Sequence, residues 1–69
     1  MKVLIQLISN HKGRKELGRL CWITKDIDGK LSTSNIYSSK DKAAVLSKDD
    51  YISLKSYESQ GAFKIISIE

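Results

Sequence analysis

Proline is absent and cysteine occurs once, as Cys21, in a chain of 69 residues. A lone cysteine closes no intrachain disulfide, which suits a reducing compartment. A structural zinc site takes about four Cys or His ligands, and Cys21 and His11 are the only such side chains in the sequence. Two common supports of very small domains are therefore missing. A chain of this size buries only about 60% of the surface its unfolded form exposes, so self-association, as a homodimer, or a lasting partner is the support left open.

Long apolar runs are missing too. No stretch approaches the ~20 residues of a membrane span. The opening MKVLIQLIS is interrupted by Gln6 and passes into the polar Asn10-His11-Lys12-Gly13 without a small-residue cleavage site, so it reads as a strand rather than a targeting segment. We expect a cytoplasmic protein, residues 1–69 forming one small domain without linker, repeat or low-complexity tract. The absence of proline beside abundant Lys, Ile and Ser is the usage of AT-rich coding sequences, such as those of a low-GC microbe or its phage.

Catalytic constellations are equally scarce. His11, the sole histidine, sits in a glycine-containing loop far in sequence from most serines, and a base alone makes no active site. Cys21 lies mid-strand beside Trp22 and reads as a small core residue. Asp26-Ile27-Asp28-Gly29 resembles part of a calcium loop, but aligning Gly29 with that loop's glycine puts Thr24 and Asn35 where carboxylates are required. Asp49-Asp50 is explained by a helix N-terminus without any ligand. The glycines at 13, 18, 29 and 61 fit no phosphate-binding fingerprint. The expectation is a protein that is not an enzyme and uses no cofactor, metal or evident small-molecule substrate.

What is present is a pattern of strands and one helix. Residues 2–9 alternate with β-branched positions and read as a strand apolar on both faces. Residues 19–25, RLCWITK, read as a second strand, with Leu20, Trp22 and Thr24 on one face and Arg19, Cys21, Ile23 and Lys25 on the other. Asp28-Gly29 reads as a two-residue hairpin loop, and the polar residues 30–37 as the returning edge strand. Ser38 with Asp41 suggests a capping box on a short helical turn through Ala44, with Val45-Leu46 as a rival short strand. Ser47 with Asp50 forms a second capping box, and acids in its first turn complement the helix dipole. That helix would run to about Gln60 and stop at Gly61, presenting Tyr51, Leu54 and Tyr57, with Leu46 as the staple residue before the cap. A strand over 51–57 is the competing reading; caps at both ends favour the helix. Residues 62–68, AFKIISI, read as a last strand buried on both faces.

The predicted fold class is α+β: a small antiparallel or barrel-like sheet in the order β-β-β-short element-α-β, with one main helix near the C-terminus. The expected core is Val3, Ile5, Leu7, Leu20, Trp22, Leu54, Phe63, Ile65 and Ile66. One helix covers only one face of such a sheet, so the other face needs curvature or a second chain.

Charge then points to a function. The net charge is +4. Residues 1–34 hold seven basic groups and three acids, and residues 35–69 hold five of each, so the excess lies in the first half. Within it, Lys25 and Lys30 are offset by Asp26 and Asp28. The remaining cluster is the loop of His11, Lys12, Arg14, Lys15 and Arg19, with four basic side chains against one acid, Glu16. Lys and Arg on a glycine-containing loop neutralise phosphates, and Trp22, Tyr37 or Phe63 would stack bases if displayed on a sheet face. Nucleic-acid binding through residues 11–19 is thus the leading expectation. The alternative is a small protein-binding regulator or inhibitor that occludes a larger partner, such as a nucleic-acid-processing protein, either through an acidic groove met by the same loop or through one apolar sheet face or edge.

Overall fold

A computed structural model describes residues 1–8, 18–33 and 38–69. It has the expected α+β class: β1 (Val3–Leu7), β2 (Leu20–Trp22), β3 (Thr24–Lys25), β4 (Leu31–Ser32), helix α1 (Lys48–Glu58) and β5 (Phe63–Ile68). β1 is central in an antiparallel sheet of order β2-β1-β5, and β3 pairs with β4 in a second antiparallel set. The strands expected at the two ends of the chain are neighbours, but β5 lies at an edge rather than inside the sheet.

The expected strand over 19–25 divides at Ile23. Leu20–Trp22 pair with β1, whereas Thr24–Lys25 pair with β4. The chain therefore changes partners within a few residues, as strands do where a small sheet curls. Expected strand residues 34–37, Tyr37 among them, lie outside the described residues.

The hairpin turn differs by one residue from expectation. The Asp26 N–H donates to the Lys30 carbonyl and the Gly29 N–H to the Asp26 carbonyl, leaving a loop of Ile27, Asp28 and Gly29. Gly29 takes φ 79°, the left-handed position of a three-residue loop. Asp26 Oδ1 accepts the N–H groups of Asp28 and Lys30, both at 2.9 Å, so the carboxylate shapes the turn itself.

Ser47 caps α1 as its sequence requires. Its hydroxyl accepts the Asp50 N–H, and the Asp50 carboxylate accepts the Ser47 N–H, at 3.1 and 3.0 Å. The helix ends at Glu58, two residues short of expectation, and Gly61 at φ 87° turns the chain into β5. Leu46 and Leu54 are buried and Tyr51 is half-buried, but Tyr57 is 53% exposed, so the apolar stripe is one turn shorter than predicted. Ser38 opens no helix. A 3-10 turn spans Lys40–Lys42, preceded by Ser39, and Ser38 is buried with its hydroxyl donating to the Trp22 carbonyl at 2.8 Å.

The core comprises Val3, Ile5, Leu7, Cys21, Ile23, Leu46, Leu54 and Phe63, with Leu31, Ala44, Tyr51 and Ile65 packed at its margin. Three expected core residues are displaced. Leu20 is 52% exposed, Trp22 is half-buried on the outer face, and Ile66 is 44% exposed. Register explains the first two: Ile5 opposes Cys21, so Cys21 shares the buried face while Leu20 and Trp22 turn outward. With Leu46, Leu54 and Phe63 already filling that side, a small Cys21 fits where an indole would overpack. Ile66 is turned out by a bulge: Leu4 pairs with Ser67 but Ile5 with Ile65, leaving Ile66 without an opposite residue.

Candidate nucleic-acid interface

The outer face of β2-β1-β5 is a small grid. Trp22, Leu4 and Ser67 form one row; Leu20, Gln6 and Lys64 form the next. Residues directly opposite on antiparallel strands share a face, with Cβ atoms about 5 Å apart. The alternation of β1, in which Val3, Ile5 and Leu7 are buried and Leu4 and Gln6 half-buried, fixes which face this is. No other tryptophan exists in the chain.

Trp22 is held by its backbone. The Ile23 N–H donates to the Val3 carbonyl at 2.9 Å, and the Ser38 hydroxyl takes the Trp22 carbonyl on the open side of β2. These bonds anchor the backbone that carries the indole. The buried neighbour Cys21 has a different character. Burial pushes its thiol up from the ordinary cysteine value, against the opposing effects of the Ser38 hydrogen bond and the Arg19 charge. A thiol so raised is a poor nucleophile, consistent with a packing role.

The basic segment springs from the end of the sheet that carries the Leu20-Gln6-Lys64 row. Leu7 and Ile8 close the first strand, and the chain re-enters at Gly18, whose N–H donates to the Leu7 carbonyl at 2.6 Å. The Leu7 N–H donates to the Arg19 carbonyl at 3.0 Å, and the Gln6 side-chain amide to the Gly18 carbonyl at 3.0 Å. Of the expected binding residues, Arg19 is described and exposed, flanking the grid at this end. His11, Lys12, Arg14 and Lys15 lie outside the described residues, as does Tyr37. Trp22 occupies the outward position that stacking requires. Sequence reasoning did not single out Lys64; its signal was a lone cation between apolar residues in AFKIISI.

Compared with models of protein families, with curated proteins and with solved structures, the chain matches none. Among the described residues no helix is long and apolar enough to cross a membrane.

Proposed function

We propose that this domain is a non-catalytic binding module for single-stranded nucleic acid, with the outer face of β2-β1-β5 as its platform. The observation that carries the reading is Trp22, half-buried on that face one row from the sheet end where the basic segment begins. Bases stack on the indole and on the flanking apolar surface of Leu4 and Leu20, while Lys64, Arg19 and the cations of residues 11–19 neutralise phosphates. The platform is three strands wide, roughly 10 Å at ~4.8 Å between neighbours, enough for one or two stacked nucleotides. A duplex would offer this flat face no unstacked base.

Because Trp22 is the sole tryptophan, intrinsic fluorescence reports directly on the proposed surface. Titration with oligo(dT) and oligo(U) at low salt is expected to quench it, and Lys12/Arg14/Lys15→Ala to flatten the salt dependence by a slope of about 2 in log–log form, at ~0.7 per single-strand phosphate contact. No quenching at low salt, or a salt dependence indifferent to the triple substitution, would sink the reading.

A second reading, a protein-binding regulator or inhibitor, draws on β5. Ile66 and Ile68 are 44% and 46% exposed on this edge strand, and exposed apolar edges invite strand addition from another chain. Gel filtration together with the titration separates the two: a monomer that leaves Trp22 fluorescence unchanged with every oligonucleotide favours the protein partner.

A further inference from the structure

On the opposite side of the molecule from Trp22, a cavity of about 260 Å³ opens between the C-terminal half of α1, strand β4 and the start of β5. Its floor is Ile23, Leu31, Leu54 and Phe63. Thr33, Tyr57 and Gln60 line it with neutral hydrogen-bonding groups, and among the described residues no lining side chain carries a formal charge. A second, more polar hollow adjoins it through Leu31 and Tyr57 and reaches Lys30 and Asp50. There the Asp50 carboxylate is already engaged, by Lys25 Nζ at 2.9 Å and by the Ser47 N–H.

From this arrangement we propose that the cavity is a binding site for a small uncharged molecule: a ring-sized apolar body carrying one hydrogen-bonding group. The apolar floor contributes affinity by removing such a body from water. The hydroxyl and amide groups of Thr33, Tyr57 and Gln60 supply a partner for its polar end, so that no buried donor or acceptor is left unmatched. Charge decides the class of ligand. An ion drawn into this chamber gives up hydration and meets no charged side chain in its lining: Lys30 lies in the adjoining hollow, and the Asp50 carboxylate there is engaged by Lys25. The site is separate from the outer sheet face, so its occupancy does not depend on the nucleic-acid reading.

The experiment uses 4-methylphenol as the neutral probe, with benzoate and benzylammonium as anionic and cationic counterparts of similar size. Methyl-resolved NMR on the full chain is expected to show saturable shifts at Ile23, Leu31 and Leu54 with 4-methylphenol, in a roughly millimolar range typical of so small a ligand. Both charged probes are expected to bind at least about tenfold more weakly, the discrimination of a site without counter-charge. Ala62→Phe places a ring in the chamber from an exposed position and is expected to abolish the shifts; Gln60→Ala is expected to weaken binding severalfold. Trp22→Ala is expected to leave 4-methylphenol binding unchanged. Absent shifts at the floor methyls up to the solubility of the probe, equal binding of the charged probes, or full binding by a folded Ala62→Phe variant would each overturn the proposal. Retained amide shifts across β1 and β5 establish that the variant is folded.

Discussion

On the helix side of β2-β1-β5, Val3, Ile5, Leu7, Cys21 and Phe63 are buried against Leu46 and Leu54. On the other side, Leu4, Gln6, Leu20, Trp22, Lys64 and Ser67 occupy the alternate positions of the same strands. The inner set is wholly apolar, aliphatic or thiol side chains around the single ring of Phe63, closely packed under one helix. The outer set mixes two leucines, the indole, an amide, a hydroxyl and a cation. A face serving only solvent would need neither Trp22 nor Leu20, and a core face would not carry Lys64. The comparison teaches that the bulkiest side chain in the protein lies half-buried on the outer face, while the close packing is concentrated on the inner one.

Substitutions that remove volume from the inner face test this most severely. Ile5→Ala is expected to cost about 2–5 kcal/mol. At the usual 0.05–0.15 kcal/mol per residue, a chain of this size has only about 3–10 kcal/mol in total, so the variant should be largely unfolded in urea concentrations the parent withstands. Leu20→Ala, although it removes a similar side chain from an adjacent strand, is expected to stay within about 0.5 kcal/mol. Equal losses in the two urea titrations would show that the faces are not distinct.

The outer face is sharpened by Trp22→Ala. Stacking on an aromatic contributes about 1–3 kcal/mol per base, so binding of a fluorescently labelled oligo(dT), followed by anisotropy, is expected to weaken by roughly 5- to 150-fold, while the urea midpoint moves less than for Ile5→Ala. A smaller effect, about 1 kcal/mol, is expected for Ser47→Ala, which removes the hydroxyl arm of the capping box. Chemical denaturation of that variant should show loss of stability without loss of oligonucleotide affinity.

These contrasts also show what was legible in the sequence. The helix was, because Ser47, Asp50 and Gly61 act within a few residues of themselves and their chemistry is local. The central strand was, because residues 3–8 are apolar on both faces but for Gln6 and rich in β-branched side chains. The phase of β2 was not: Leu20-Cys21-Trp22-Ile23 is apolar at every position, so alternation carries no direction, and only the pairing of Cys21 with Ile5 decides which side is buried. The Ile66 bulge depends likewise on a register shift against Leu4 and Ile5 that local pattern does not encode. Of the candidate site, sequence supplied the basic segment, and it offered Trp22 for stacking only on condition of exposure while also counting it in the core. It did not supply Lys64, whose relevance comes from sharing a row with Gln6 and Leu20. Nor did it supply the cavity beneath Tyr57, which is assembled from elements distant in the chain.

The mildest test concerns pH, and it too separates the faces. Glu58 Oε2 accepts the Ile65 N–H at 2.6 Å and its other oxygen pairs with Lys55 at 3.1 Å, which together hold its carboxyl below the usual glutamate value. Asp50 is held below the usual aspartate value by the Ser47 N–H and by Lys25. Protons therefore bind the unfolded chain first as pH falls. The stability these groups contribute is complete above the ordinary carboxylate range and declines as pH drops through their lower folded values. Lys55, raised by its bond to Glu58, acts at the other end of the scale: its contribution is complete below the ordinary lysine range and is lost as pH rises through the higher folded value. Urea midpoints measured from neutral pH downward are expected to fall, with Glu58→Gln and Asp50→Asn each removing part of the slope. Trp22→Ala should leave that slope unchanged, since neither carboxylate lies among the outer-face residues. An acid slope that followed Trp22 rather than Glu58 would mean that the outer face, and not the helix–β5 junction, couples protonation to folding. Glu58 has a further consequence on the edge strand: it occupies the Ile65 N–H, a donor on the open side of β5 that another strand would otherwise use. Protonating it, or replacing it with glutamine, weakens that acceptor, so any tendency of β5 to pair with a second copy should rise on the same side of neutrality where stability falls, and gel filtration across the titration would show the two changes together.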